Sequence, residues 1–193
     1  MKQIVTVLIF LTVVTMACQS NKIKTGSAIP KTDTSKFYPT GDFFKEQVKY
    51  VDLRNFTIYK ITVKNGKRDS SVLTKDQFIE WTKKFLDWDI SSPKFAGMYR
   101  ESVFHDLSTA SLTFNYTPID REASIQNVEV LLDEDTHFVK RVYIKSVYNK
   151  GDTSVTEQCS WKANKSFHHN RLLTTKSGYV SSELNYINWN DKP

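Results

Sequence analysis

Val128-Glu-Val-Leu-Leu-Asp-Glu-Asp-Thr-His-Phe-Val-Lys-Arg-Val-Tyr-Ile144 sets the architecture of this chain. Val128, Val130 and Leu132 alternate along its first half, Val142 and Ile144 along its second, and Asp133-Glu-Asp135 lies between them as a turn. Side chains two apart on a strand share a face, so each half reads as a strand with one buried and one wetted side. Upstream, Ala110, Leu112, Phe114 and Tyr116 form another alternating set. Turn-prone stretches punctuate the rest: Pro118-Ile-Asp-Arg121, Asn149-Lys-Gly-Asp152, Ala163-Asn-Lys165 and Lys176-Ser-Gly178. Their spacing is that of successive hairpins. A doubly wound parallel sheet would need helices between its strands, so the reading is an antiparallel meander.

Ahead of Pro93 the pattern changes. Asp42 to Val51 carries apolar residues at 43, 44, 48 and 51, one face of a short helix. Phe56 to Val63 is dense in β-branched and aromatic residues, and Lys64-Asn-Gly-Lys67 follows at once. Asn-Gly favours positive φ at both turn positions, so a returning strand is expected over about Arg68 to Leu73. Thr74-Lys-Asp-Gln77 reads as a capping box. Behind it Phe78, Ile79, Trp81, Thr82, Phe85 and Leu86 recur at helical spacing, with Glu80 and Lys84 expected to pair on the outer side. Ser91-Ser-Pro93 stops that helix. The expected class is therefore α+β: a curved antiparallel β-meander sheet packed against one or two N-terminal helices, forming a single domain over 37–193.

The first residues carry an address. Lys2 precedes an apolar run from Ile4 to Val14, too short to span a bilayer comfortably, which ends in Thr15-Met16-Ala17-Cys18. This resembles the lipobox of bacterial lipoproteins, in which the cysteine is acylated and becomes the new N-terminus. The resemblance implies a signal peptide over 1–17 and lipidation of Cys18. An ordinary secretion signal or an uncleaved anchor would use similar residues, but polar Gln19-Ser-Asn-Lys22 begins directly after Cys18. Acyl chains worth about 0.8 kcal/mol per buried methylene would hold the chain on a membrane. Gln19, not Asp, follows Cys18, and by resemblance to the common sorting rule of such lipoproteins this favours the outer membrane. Residues 18–36 are polar and flexible in composition, a tether that would reach roughly 25 Å as a random coil.

Charge and cysteines narrow the function classes. The formal charge of +6 becomes +5 once Lys2 leaves with the leader. In an exported domain with no basic stripe, that charge points away from nucleic acid and towards anionic headgroups, lipopolysaccharide or acidic glycans. Lipidation of Cys18 leaves Cys159 without a disulfide partner, in phase with Val155 and Trp161 as a small buried hydrophobe.

Residues able to carry chemistry form no recognisable constellation. His105-Asp106 suggests a base held by an acid, and His168-His169 suggests metal ligands, but neighbours on a strand point to opposite faces. His137 sits beside an acidic turn. Asp133-Glu-Asp135, with Asp120 or Asp152, lacks the glycine turn and further oxygens of a calcium loop. Glycine-rich phosphate loops, nucleophile elbows and paired metal-spaced cysteines are missing. No catalytic residue, metal ligand or cofactor is assigned. Trp81, Trp88, Trp161 and Trp189, with nine tyrosines and twelve phenylalanines, mostly fill the core. Tyr143, Tyr148, Tyr179 and Tyr186 sit among polar neighbours and are the candidate ligand-binding residues.

Gly151-Asp-Thr-Ser-Val155, Trp161-Lys-Ala-Asn-Lys-Ser-Phe167 and Trp189-Asn-Asp191 resemble stretches of uncharacterised lipoproteins of Bacteroidota, over most of the mature chain. The resemblance implies the cell envelope and a small α+β body, with no activity to carry over. The expectation is a non-enzymatic envelope lipoprotein, anchored to the membrane by lipid, that binds a protein, glycan or lipid through its sheet. A lipid or lipoprotein carrier with a curved-sheet groove is the alternative, and an envelope hydrolase the third.

Overall fold

The computed structural model describes residues 37–191. The expected signal peptide over 1–17, the expected tether over 18–36 and Cys18 lie outside the described residues. Helix α1 (Thr40–Asp52) is followed by the hairpin β1 (Ile58–Lys64) and β2 (Lys67–Leu73), then by helix α2 (Lys75–Leu86) and a short 3-10 turn at Pro93–Phe95. Seven strands follow among the described residues: β3 (Tyr99–Asp106), β4 (Ser111–Pro118), β5 (Ile125–Asp133), β6 (Val139–Lys150), β7 (Thr153–Lys162), β8 (Ser166–Thr175) and β9 (Val180–Asn188). They form one open antiparallel sheet in the order β2-β1-β9-β8-β7-β6-β5-β4-β3. The fold is α+β, a curved meander with two helices on one face.

Local chemistry explains these elements. Asn65 and Gly66 adopt φ of 47° and 80°, the paired positive values that a two-residue hairpin turn demands. The Asn65 side-chain oxygen accepts from the Ser182 amide (3.0 Å) and the Ser181 hydroxyl (3.1 Å), fastening the early hairpin to the last strand. In α2 the Thr74 hydroxyl accepts from the Gln77 amide and the Gln77 side chain accepts from the Thr74 amide, a complete capping box. Helix α1 starts where Thr40 and Gly41 meet Asp89. A Cβ on Gly41 would stand 2.5 Å from the Asp89 carboxylate, so glycine permits that approach. Register shifts at Ile125/Asn127 and at Leu131/Leu132 in the β5–β6 ladder add local bends to the sheet.

The core lies between the helices and the sheet, with Trp161 fully buried at its centre. Phe44 and Phe85 approach the indole at 5.4 and 5.6 Å, while Phe167 stacks on it at 4.6 Å and 18°. Its N–H donates to the Gln47 carbonyl oxygen (3.4 Å), which also accepts from the Asn164 amide (2.6 Å). A buried tryptophan thus has its polar edge satisfied.

Three local expectations are corrected. Ala110 is no strand residue: it occupies the β3–β4 turn with φ 45°, and the strand begins at Ser111. The sequence reading places no strand at Tyr99–Asp106, yet β3 forms there. As an edge strand exposed on both faces it needs no alternation. Glu80 and Lys84 do not pair. Glu80 meets Lys83, and Lys84 turns inward towards β7 and β8, where a buried carboxylate offers a stronger partner than solvent does.

Candidate functional site

Pairing between β7 and β8 assembles the most unusual chemistry in the molecule. Val155, Glu157, Cys159 and Trp161 all point to the helix-covered face, and their neighbours across the ladder are Leu173, Arg171, His169 and Phe167. One carboxylate and one imidazole are thereby carried into an otherwise apolar layer. Helix α2 closes over them and contributes Lys84 from above.

The result is a four-group cluster. The His169 Nε2 lies 3.2 Å from Glu157 Oε1, and Lys84 Nζ lies 3.5 Å from the same oxygen. Lys84 Nζ is also 2.8 Å from Nε2 and 3.2 Å from Nδ1 of His169. An ammonium has only donors, so the ring must present a lone pair. Glu157 Oε1 and Lys84 Nζ therefore converge on Nε2, an acceptor and a donor at one ring nitrogen. Arg171 Nε stands 3.8 Å from Glu157 Oε1, and Tyr148 Oη donates to Oε2 across 3.4 Å. Beyond His169, its ladder neighbour Asn185 accepts from the Thr62 hydroxyl (2.8 Å) and extends the polar patch to β1.

Burial decides how these charges behave. Glu157 is 9% exposed at its side chain, whereas Lys84 and Arg171 are 33% and 39% exposed. Burial by itself would raise the Glu157 pKa, but the hydrogen bond from His169 and the charges of Lys84 and Arg171 outweigh it and hold the carboxyl below its usual range. Burial lowers the Lys84 pKa, and Glu157 opposes that shift. Two cations thus face one carboxylate, and the excess positive charge is on the side chains that reach solvent.

Aromatic walls surround the cluster. Trp81, Phe85 and Trp88 place their rings 6.3, 6.3 and 6.4 Å from the His169 ring. Lys60 Nζ lies 4.9 Å from the centre of the Trp81 ring and Lys84 Nζ 5.7 Å from it. Beside them an open hollow of about 470 Å³ is lined by Glu80, Trp81, Lys83, Lys84 and Asp87. The hollow thus sets two lysines and two carboxylates around one indole face, with Lys83 paired to Glu80.

The sequence-derived candidates fall in three places. Tyr143 and Tyr186 lie on the outer face of the sheet, in one row across the strands with Ser160 and His168. The Tyr186 ring stacks on His168 at 4.4 Å and 23°. Tyr148 is on the opposite face, against Glu157, and Tyr179 is exposed at the β8–β9 turn. His168 and His169 point to opposite faces. His105 bonds Glu134 (2.6 Å), and Asp133 is held low, to about 2, chiefly by its hydrogen bond with Lys140. Cys159 is fully buried, and burial pushes its thiol up. Among the described residues, no group of three or more His, Cys, Asp or Glu is placed to hold a metal.

Glu157, Arg171, Lys84 and Trp81 are absent from the sequence-derived set. The signal was a charged residue in an apolar phase: Glu157 repeats with Val155, Cys159 and Trp161, and Arg171 with Phe167 and His169. No protein-family profile, curated protein or solved structure matches this chain. No helix among the described residues is long and apolar enough to cross a membrane.

Proposed function

We propose that this protein is a lipid-anchored envelope lipoprotein, held through Cys18 at the outer membrane, whose domain binds an acidic ligand at the Lys84–Glu157–His169–Arg171 cluster. The single observation that carries the ligand class is the imbalance of two cations against one carboxylate, with the cations on the solvent side and Trp81 beside Lys84. An entering carboxylate or phosphate would take Arg171 and Lys84 as charge-assisted donors while a sugar or aromatic ring lies on the indole.

Two features favour binding over the alternatives. A carrier needs an open apolar groove, and here the apolar part of the helix-covered face is filled by Phe43, Phe44, Phe78 and Phe85 packed on Trp161. A hydrolase using His169 as base needs a nucleophile or water path, but the imidazole is buried and occupied by Lys84 and Glu157.

Isothermal titration calorimetry with uronic-acid oligosaccharides and sugar phosphates tests the site. Binding that falls about tenfold or more in Arg171→Gln is expected, equivalent to loss of one charge-assisted contact. Affinity for all acidic probes that is unchanged in Arg171→Gln, or the absence of binding to any of them, would refute the ligand class. Palmitate labelling that persists in Cys18→Ala would refute the anchor.

A further inference from the structure

Strand β3 ends one side of the sheet, and its outer edge has no neighbour among the described residues. Which of its backbone groups are free follows from its inner side. The Ile119 amide donates to the Met98 carbonyl (2.9 Å), so 98 and 119 are a hydrogen-bonded pair. Alternation then makes Arg100, Ser102, Phe104 and Asp106 the residues bonded to β4. Pro118, which has no N–H, accordingly faces Tyr99 across a non-hydrogen-bonded position. Glu101, Val103 and His105 therefore direct their N–H and C=O groups away from the sheet.

Natural edges are blunted by proline, by a bulge, or by charged side chains, which repel a second edge unless it answers them in sign. The β3 sequence Tyr-Arg-Glu-Ser-Val-Phe-His-Asp has no lysine or proline, and it pairs with β4 without a register shift. Apolar groups crowd the same edge: Val103 is 52% exposed, Phe104 65% and Leu107, in the following turn, 79%.

We propose that β3 pairs antiparallel with β3 of a second copy of this chain, about a twofold axis at Val103, joining the two sheets into one. Charge complementarity selects both the occupant and the register. Reversal about Val103 sets Arg100 opposite Asp106 of the partner subunit, a contact occurring twice by symmetry that fixes the register, and brings Glu101 to His105 of the partner subunit, an imidazole that in each copy already meets its own Glu134 (2.6 Å). Pairing at Val103 also joins only residues whose backbone groups are free. An axis at Ser102 or at Phe104 opposes none of these charges. The two Phe104 rings become diagonal neighbours on the outer face, which covers part of the apolar surface now open to water. Asp106 is already fixed by the Ser108 amide (2.9 Å) and the Thr109 hydroxyl (2.8 Å), so meeting an arginine costs it little further ordering.

The test is oxidative cross-linking and sedimentation of the full chain in detergent. In a hydrogen-bonded antiparallel pair the facing Cα atoms are about 5.5 Å apart, within reach of a disulfide. Val103→Cys should cross-link about tenfold more than Glu101→Cys or His105→Cys, whose introduced thiols would stand roughly 13 Å from their symmetry mates. The unsubstituted chain sets the baseline for Cys18 and Cys159. Arg100→Glu and Asp106→Arg should each weaken self-association about tenfold, because two attractive contacts become repulsive. Mixing the two variants should restore it, because unlike charges again face each other. A chain that stays monomeric up to about 100 μM, equal cross-linking at all three positions, or a mixture no tighter than its components would overturn the proposal. So would cross-links formed only to another protein.

Discussion

Replacing Glu157 by glutamine tests the central cluster, because it keeps the side chain's shape while removing its charge and turning one acceptor oxygen into a donor. The carboxylate now faces His169 at 3.2 Å, Lys84 at 3.5 Å and Arg171 at 3.8 Å while being 9% exposed. Breaking a fully buried ion pair costs about 3–5 kcal/mol. Lys84 and Arg171 are a third or more exposed and can turn to water, so the expected loss for Glu157→Gln is about 2–3 kcal/mol. Urea unfolding followed by tryptophan fluorescence reads it at pH 7. Coupling is the sharper readout: a double-mutant cycle with Lys84→Met should give an interaction energy of about 1 kcal/mol or more. The pH dependence has a fixed sign. Glu157 has a folded pKa below its unfolded value of 4.5, so its contribution is complete above that value and disappears as pH falls through the folded one. The gap between the native chain and Glu157→Gln should therefore narrow in acid. A variant as stable as the native chain at pH 7, or a gap that widens as pH falls, would refute the ion-cluster account.

Two further outcomes follow from the core and the hairpin. Trp161→Ala removes the fully buried indole at the aromatic centre and should cost about 3–5 kcal/mol, read as a lower urea midpoint with loss of near-ultraviolet circular dichroism. Gly66→Ala meets no atom within 4 Å but must hold φ at 80°, so a loss of about 1 kcal/mol is expected from backbone strain alone, and an unchanged urea midpoint would contradict the turn assignment.

Much of the architecture was legible because it is written in local, repeated signals. The alternation of Val128, Val130 and Leu132, the Asn65-Gly66 turn and the Thr74 capping box each constrain a few neighbouring residues, and each is found where its chemistry places it. Pairing of β1 with β9 was not legible, since it joins Tyr59 to Asn188 through no local pattern. Strand β3 was hidden for the opposite reason. An edge strand with both faces wetted is under no pressure to alternate, so Tyr99 to Asp106 carries no period to read. Ala110 continued an apolar alternation into a turn, where only its positive φ betrays its place.

The ionic cluster was legible in principle, and its presence is not what an apolar layer at that position would call for. Apolar residues at 157, 169 and 171 would extend the layer of Val155, Cys159 and Trp161, and such replacements of buried ion pairs are often neutral or stabilising. Instead the strands carry Glu157 and His169 inward, and α2 gives up an outward Glu80–Lys84 pair to bring Lys84 over them. Helical spacing alone could not reveal that turn, since Lys84 occupies the same position on α2 whether it reaches for Glu80 or for β7. The two strands and the helix come together only in three dimensions, and their meeting leaves a cation with solvent access beside an indole. That geometry is the ground on which the proposed recognition of an anion rests.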